Sequence, residues 1–239
     1  MWVRLLVIGA TCAGCDVALS EISQIYSRPG DGPITCGINL DNKNLISVDS
    51  IGTGLDRASV DETIIHLYSH KPAGTVDEST VEEVVAAASD RGLPFVTYAD
   101  LVDGTAEYGL AYSFDDRDIV GWHGLLPMFR YYDARVTFFI SEFETIDPDT
   151  MVLLHEIAAD GHAIEFHGAL HRNAESTTAE LGAQGWIDLD IVPGLDLMRA
   201  EGFNPRVYAY PYGARTAETD RAILEVLPLV RASHFSCPR

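Results

Sequence analysis

Two short polar groups interrupt apolar runs in this 239-residue chain, and their side chains suit metal-assisted hydrolysis. Asp115-Asp116 closes the run 109–114, Gly-Leu-Ala-Tyr-Ser-Phe. His167-Gly-Ala-Leu-His171 follows the run 163–166, Ala-Ile-Glu-Phe, in the same way. One carboxylate and two imidazoles are a familiar ligand set for a divalent transition metal. The other aspartate of the pair is then free to act as a base. Taken singly, Asp-Asp also reads as a solvated loop or a helix N-cap. His-x3-His also arises by coincidence on one helical turn. Together they say more, because each stands at the end of a strand-like run. A third run, Arg206-Val-Tyr-Ala-Tyr210, leads into Pro211-Tyr212-Gly213. That is a turn signal, and it also sets a rigid backbone segment and an aromatic ring beside the other two groups.

The elements that must position these groups alternate along the chain. From residue 63 onward, strand-like and helix-like patterns take turns. Apolar residues at 119, 122, 125, 126 and 129 make a helical stripe over 119–132. Residues 148–160 read as a helix stopped by Gly161, and 191–201 and 217–227 as two more. Residues 172–187 are polar and read as a loop facing substrate. Such alternation predicts parallel strands with crossover helices. The pattern alone fits a doubly wound sheet or a barrel. In either, polar groups at the C-terminal strand ends share one edge, where catalytic groups gather.

In this order the three elements resemble the polysaccharide deacetylases of the NodB-homology type (carbohydrate esterase family 4). The family's Thr-Phe-Asp-Asp is similar to Ser113-Phe114-Asp115-Asp116, and its His-Ser/Thr-x-x-His to His167-Gly168-Ala169-Leu170-His171. Its Arg-x-Pro-Tyr is similar to Ala209-Tyr210-Pro211-Tyr212. Residues 135–140 look like the strand after the first helix, and Asp160-Gly161-His162 like the lead-in to the second motif. The resemblance covers roughly residues 109–232. Gly168 departs from the family's hydroxyl residue, and Ala209 from the arginine that orients its catalytic aspartate. The family also ends with a Leu-x-His motif, a helix and a last strand, for which Arg239 comes too soon. A matching block stands at the front instead: the run 63–70 ending in His70, a helical stretch over 78–91 and the run 93–98. The chain therefore resembles a circular permutant, with residues 63–102 as the displaced C-terminal block. Neighbouring termini in a barrel make such a change physically cheap. An unrelated N-terminal extension with an ordinary strand-end histidine is the alternative.

The resemblance implies an irregular (β/α) barrel, α/β in class, and hydrolysis of an N-acetyl amide on an amino-sugar polymer. It implies Asp116, His167 and His171 as ligands of Zn²⁺ or another divalent transition metal, and Asp115 as general base. It implies the backbone N–H of Tyr212 at the oxyanion and His70 as general acid. A non-sugar ester or amide hydrolase with the same metal, and a catalytically weak, surface-anchored carbohydrate-binding protein, remain as other readings. His66, His123, His155, His162 and His234 read as structural or surface residues.

Composition sets the remaining bounds. A formal net charge of −20 argues against nucleic acid as partner. The expected partner is an N-acetylated glycan, and the expected state a monomer. Arg4, the apolar run 5–10 and the small residues before Cys15 fit a bacterial export signal, residues 1–15, or a first core strand. Cys12-Ala13-Gly14-Cys15 resembles a lipoprotein box, which implies acylation of Cys15 and a lipid anchor in the cell envelope. No later segment is long enough to span a bilayer. Residues 16–36, with Arg28-Pro-Gly-Asp-Gly-Pro33, read as a tether, and 37–239 as a single domain in which 37–62 is ambiguous. Cys36 and Cys237 lie near the two ends of that domain and would pair in an exported protein.

Overall fold

In the computed structural model, which describes residues 18–237, apolar strands close into a barrel wrapped by helices. A two-residue strand, β1 (Tyr26–Ser27), runs antiparallel beside the start of β3 (Ile64–Ser69). The barrel itself has seven parallel strands: β2 (Ile34–Asn39), β3, β4 (Gly109–Asp116), β5 (Thr137–Ile140), β6 (Ala163–Phe166), β7 (Val207–Ala209) and β8 (Leu229–Ser233). Because β2 pairs with both β3 and β8, the ring closes in chain order. A closed ring leaves no free edge along its staves. The helices outside it are α1 (Val48–Asp61), α2 (Glu78–Asp90), α3 (Tyr98–Asp103), α4 (Ile119–Gly124), α5 (Leu126–Tyr131), α6 (Pro148–Ala159), α7 (Ala174–Trp186), α8 (Val192–Ala200) and α9 (Ala217–Leu224).

Side chains alternate across each strand, so every stave serves two cores. Leu110, Tyr112 and Phe114 of β4 face outward and pack in the outer core with Trp122, Phe129 and Phe138. Ala111 faces inward with Ile64, Phe139, Val207, Ala209 and Leu229. Tyr98, at the start of α3, belongs to that inner core, and Thr97 caps the helix through a capping box with Asp100. Further along the same inward faces stand Asp115, four residues past Ala111, and Arg231, two past Leu229, each buried. The period that fills the barrel floor with apolar residues thus fills its upper part with polar ones. Glu165, also inward and buried, accepts the N–H groups of Arg206 and Val207 at 2.6 and 2.7 Å. Those bonds tie β7 to β6, which otherwise share one registered pair, Phe166 with Tyr208.

Several expectations need correction. Residues 18–36 are not a tether: they form two short 3-10 turns, β1 and the start of β2. Leu19 and Ile25 are buried, and Arg57 of α1 donates to Ser20 O. Apolar residues three apart over only seven positions are too few to show a period in the sequence. Residues 172–187 are not a loop but mostly α7, capped by Asn173 and kinked at Gly182. The stripe over 119–132 breaks at Leu125, before Pro127, into α4 and α5. The run 93–98 does not follow β3 around the sheet. It makes one bridge, Phe95 with Leu110, below the point where β5 takes over the edge of β4. Strand β3 does lie parallel to β4, with Ser69 opposite Phe114. The ambiguous region 37–62 holds the second half of β2 and all of α1. Cys36 and Cys237 form a disulfide with Cα atoms 6.3 Å apart, beside the β2–β8 seam. Residues 1–17, with Cys12 and Cys15, lie outside the described residues. Among the described residues no helix is long and apolar enough to cross a membrane.

Candidate metal centre and active site

Asp115 and Asp116 are neighbours on one strand, yet both reach the same site. Asp115 follows the inward alternation of β4 and is 2% exposed. Simple alternation would send Asp116 to the outer layer. Its backbone instead takes φ +84°, a conformation rare for a non-glycine residue, and the chain turns there. Asp116 Oδ1 then lies 3.1 Å from His171 Nε2 and 3.6 Å from His167 Nε2. Donor atoms of Asp116, His167 and His171 all lie within 4.8 Å of one another. Among the described residues this is the one cluster of three or more His, Cys, Asp or Glu side chains so arranged.

The two histidines do not share a helical turn. They are joined by a bend in which Gly168 has φ +90° and His171 φ +49°. Asp190, fully buried, holds that bend: its Oδ1 accepts from Leu170 N at 2.6 Å, and its carbonyl from Ala169 N at 2.9 Å. A Cβ on residue 168 would fall 3.2 Å from Asp190 Oδ2, so glycine answers both the φ and the space. His167 donates from Nδ1 to the Ala209 carbonyl at 2.8 Å. That bond leaves Nε2 as the atom facing Asp116, and a carbonyl holding the other ring nitrogen fixes the tautomer and orientation a metal needs. The donor set is one carboxylate oxygen and two imidazole nitrogens with room for further ligands, which fits Zn²⁺ or a similar ion. Burial opposes charge on Asp116. Hydrogen bonds from His167 and His171, and the charges of His167 and His70, outweigh it and hold the carboxyl far below the usual range.

Sequence reasoning missed two residues beside these. Arg231 of β8, 1% exposed, donates from Nη2 to both oxygens of Asp115. Its guanidinium lies 4.3 Å from the ring centre of Tyr68 and 5.2 Å from that of Phe139. In the sheet Arg231 stands directly opposite Ala209, the position where the arginine seemed lost. The cation is present, one strand over. Its signal was a lone charge within the apolar stretch 229–233.

Asp41, the second, lies just past β2 and is buried. Its Oδ2 lies 2.7 Å from His70 Nδ1, and its Oδ1 accepts from His70 N at 3.2 Å and Thr75 Oγ1 at 3.0 Å. Burial opposes charge on both partners. On His70 the bond to Asp41 and the charges of Asp115, Asp41 and Asp116 outweigh it, so the imidazole pKa rises above 6.5. On Asp41 the bonds from His70, Thr75 and Asn39 outweigh it, and the carboxyl pKa falls. Asp41 obeys the same strand-end rule that marked Asp115 and His167.

One cavity of about 1170 Å³ at the C-terminal strand ends is lined by Asp41, His70, Asp115, Asp116, His167 and His171, among others. Tyr212 also lines it, with φ +61° and its ring 4.9 Å from the His171 ring. The structure therefore brings all six sequence-predicted site residues to one space. Of the histidines read as structural, His66 is buried between Ser27 Oγ and Tyr98 OH, and burial lowers its pKa to about 3. His162 accepts from Val136 N. His234 differs, since it lines the cavity.

Comparison with known proteins agrees with this geometry. The polysaccharide deacetylase family model matches residues 104–229, just over half of the chain. No curated protein sequence matches. Among solved structures, IcaB from Ammonifex degensii is similar at 19% identity and TM-score 0.53, over 68% of this chain and 79% of that one. The BpsB deacetylase domain from Bordetella bronchiseptica is similar at 14% identity and TM-score 0.53, over 88% of this chain and 96% of that one. At such identities the two structures speak for the fold alone. With the family model matched across the segments that carry Asp115, Asp116, His167 and His171, the chain belongs to the polysaccharide deacetylase family.

Proposed function

We propose that this protein is a metal-dependent hydrolase that removes N-acetyl groups from an amino-sugar polysaccharide. The observation that carries the reading is one cavity holding three kinds of group: the Asp116–His167–His171 cluster, the Asp115–Arg231 pair and the His70–Asp41 pair. A divalent ion bound by the first group, Zn²⁺ in our reading, supplies Lewis acidity that polarises the amide carbonyl and acidifies water. Asp115 accepts the proton of the attacking water, and Arg231 fixes its carboxylate in place. The backbone N–H of Tyr212 donates to the oxyanion that develops on the carbonyl oxygen. His70, held protonated by Asp41, gives its proton to the departing amine nitrogen. The arginine on β8 removes the main sequence objection to activity, so the enzymatic reading is preferred over a mere binding protein.

The permuted order follows from the same reading: His70, just past the end of β3, takes the place of the family's C-terminal histidine. Export to the bacterial cell envelope and anchoring through Cys15 belong to the proposal too, supported by the Cys36–Cys237 disulfide, since such bonds persist in oxidising compartments. The test is acetate release from N-acetylglucosamine oligomers with and without chelator. Release that stops in chelator and returns with Zn²⁺ supports the reading. Release indifferent to chelator, or none at all from protein with full metal occupancy, overturns it.

A further inference from the structure

The cavity is not symmetrical about the Asp116 cluster. On one side a smaller space of about 350 Å³ is lined by charged residues, Lys71, Arg117, Asp118 and Glu142. The main cavity is lined in addition by Tyr212, Leu45 and Phe235, all three exposed, with Phe235 at 68%. Its volume exceeds what one small ligand usually needs. Phe235 is an unusual residue to leave in water, and it is not loosely held. It sits in a short 3-10 turn (His234–Ser236) between β8 and the disulfide at Cys237. Ser236 Oγ donates to Ser233 O at 2.9 Å, and Arg215 Nη1 to Ser236 O at 2.7 Å. The ring lies over Gly213, where a Cβ would fall 2.9 Å from Phe235 Cζ. His171 and Tyr212 are thus in ring contact beside the cluster, and Phe235 lies against the next residue, Gly213, with its ring edge-on to His234.

We infer that Phe235, with Tyr212 and Leu45, forms a subsite for the apolar face of the sugar ring next to the one being deacetylated. The inference rests on the glycan deacetylase reading above and adds where the polymer lies. A pyranose ring presents C–H groups on one face and hydroxyls at its edge. A rigid exposed aromatic suits the first at little ordering cost, as amphipathic anchors do in binding sites. The charged space beside the cluster suits the hydroxyl-rich side. Phe235 is thus a specificity-determining residue that acts through binding and not through the chemical step.

The experiment compares wild type, Phe235→Ala and Phe235→Trp on the linear N-acetylglucosamine tetramer and on 4-nitrophenyl acetate, with calorimetric binding of the tetramer in an Asp115→Asn background. Phe235→Ala should raise KM for the tetramer and weaken its binding roughly fivefold to tenfold, the scale of one lost anchor contact, while kcat changes by less than about twofold. The loss of kcat/KM on the ester should be several-fold smaller, and Phe235→Trp should restore tetramer affinity. Equal losses on tetramer and ester, or tetramer binding indifferent to Phe235→Ala, overturn the subsite and leave the deacetylase reading standing. Wild type that cleaves the ester but neither binds nor deacetylates the tetramer overturns both.

Discussion

Replacing Arg231 by Met keeps most of its volume and removes its charge. The side chains of Arg231 and Asp115 are 1% and 3% exposed, so solvent cannot screen the aspartate that remains. Breaking a buried ion pair by removing one partner typically costs about 3–5 kcal/mol. The contacts over Tyr68 and Phe139 add about 1 kcal/mol to what is lost. Arg231→Met should therefore destabilise the fold by roughly 4 kcal/mol, read as a lower urea midpoint at unchanged m-value. The double variant Asp115→Asn, Arg231→Met leaves no lone charge and should recover at least about 2 kcal/mol of the summed single losses. Turnover tells the same story separately, because a displaced base of about 1 Å costs near 100-fold. Arg231→Lys should rescue stability better than turnover, since an ammonium cannot lie flat between two rings. Restoring an arginine at the register partner, in Ala209→Arg, Arg231→Ala, should recover part of the activity. Stability losses that add within about 0.5 kcal/mol, or an Arg231→Met cost under about 1 kcal/mol, would refute the coupling.

Four further outcomes follow from the same geometry. His167→Ala with His171→Ala should abolish metal binding measured by elemental analysis, and retained metal would exclude the cluster as its site. Asp115→Asn should keep the metal and lose about 10²–10⁴ in turnover, the usual scale for one acid–base group; near-normal turnover excludes the role of base. The His70–Asp41 pair should extend activity to higher pH: the acid form is needed, a raised pKa keeps it populated above pH 6.5, and Asp41→Asn should move the alkaline limb down, whereas an unmoved limb removes His70 as the acid. The same pair stabilises the fold with opposite limits: the imidazole's share is full below pH 6.5 and lost as pH rises through its folded value, and the carboxylate's is full above its ordinary 3.8 and lost as pH falls. Cys36 and Cys237, separated by 201 residues, should appear linked in unreduced peptide maps, and reduction should cost up to about 5 kcal/mol if loop entropy dominates.

The motif residues were legible because each interrupts an apolar run at a strand end. Asp115, His167 and Tyr212 could be placed on one edge without knowing the fold. Asp41 obeys the same rule but follows Ile34-Thr-Cys-Gly-Ile-Asn39, where glycine and cysteine blur the strand pattern. Arg231 was hidden for a different reason. Its partner lies 116 residues away, and only closure of the ring brings β8 across from β4. A charge within a short apolar run reads equally well as an edge strand or a helix end. The bend from His167 to His171 was hidden too, because i,i+4 spacing is the signature of a helix and the positive φ values that replace it leave no mark except Gly168. Polarity misled over 172–187, where a solvent-facing helix carries the composition of a loop.

The central claim is that two strand ends converge to hold one divalent metal beside a buried aspartate–arginine pair. Crystals of the protein loaded with Zn²⁺, with anomalous diffraction recorded at the zinc edge, test it most directly. The account predicts one peak per chain, about 2.0–2.2 Å from Asp116 Oδ1, His167 Nε2 and His171 Nε2, with Asp115 bound to Arg231 and not to the metal. A peak elsewhere, a peak ligated by Asp115, or no peak under saturating zinc would contradict it.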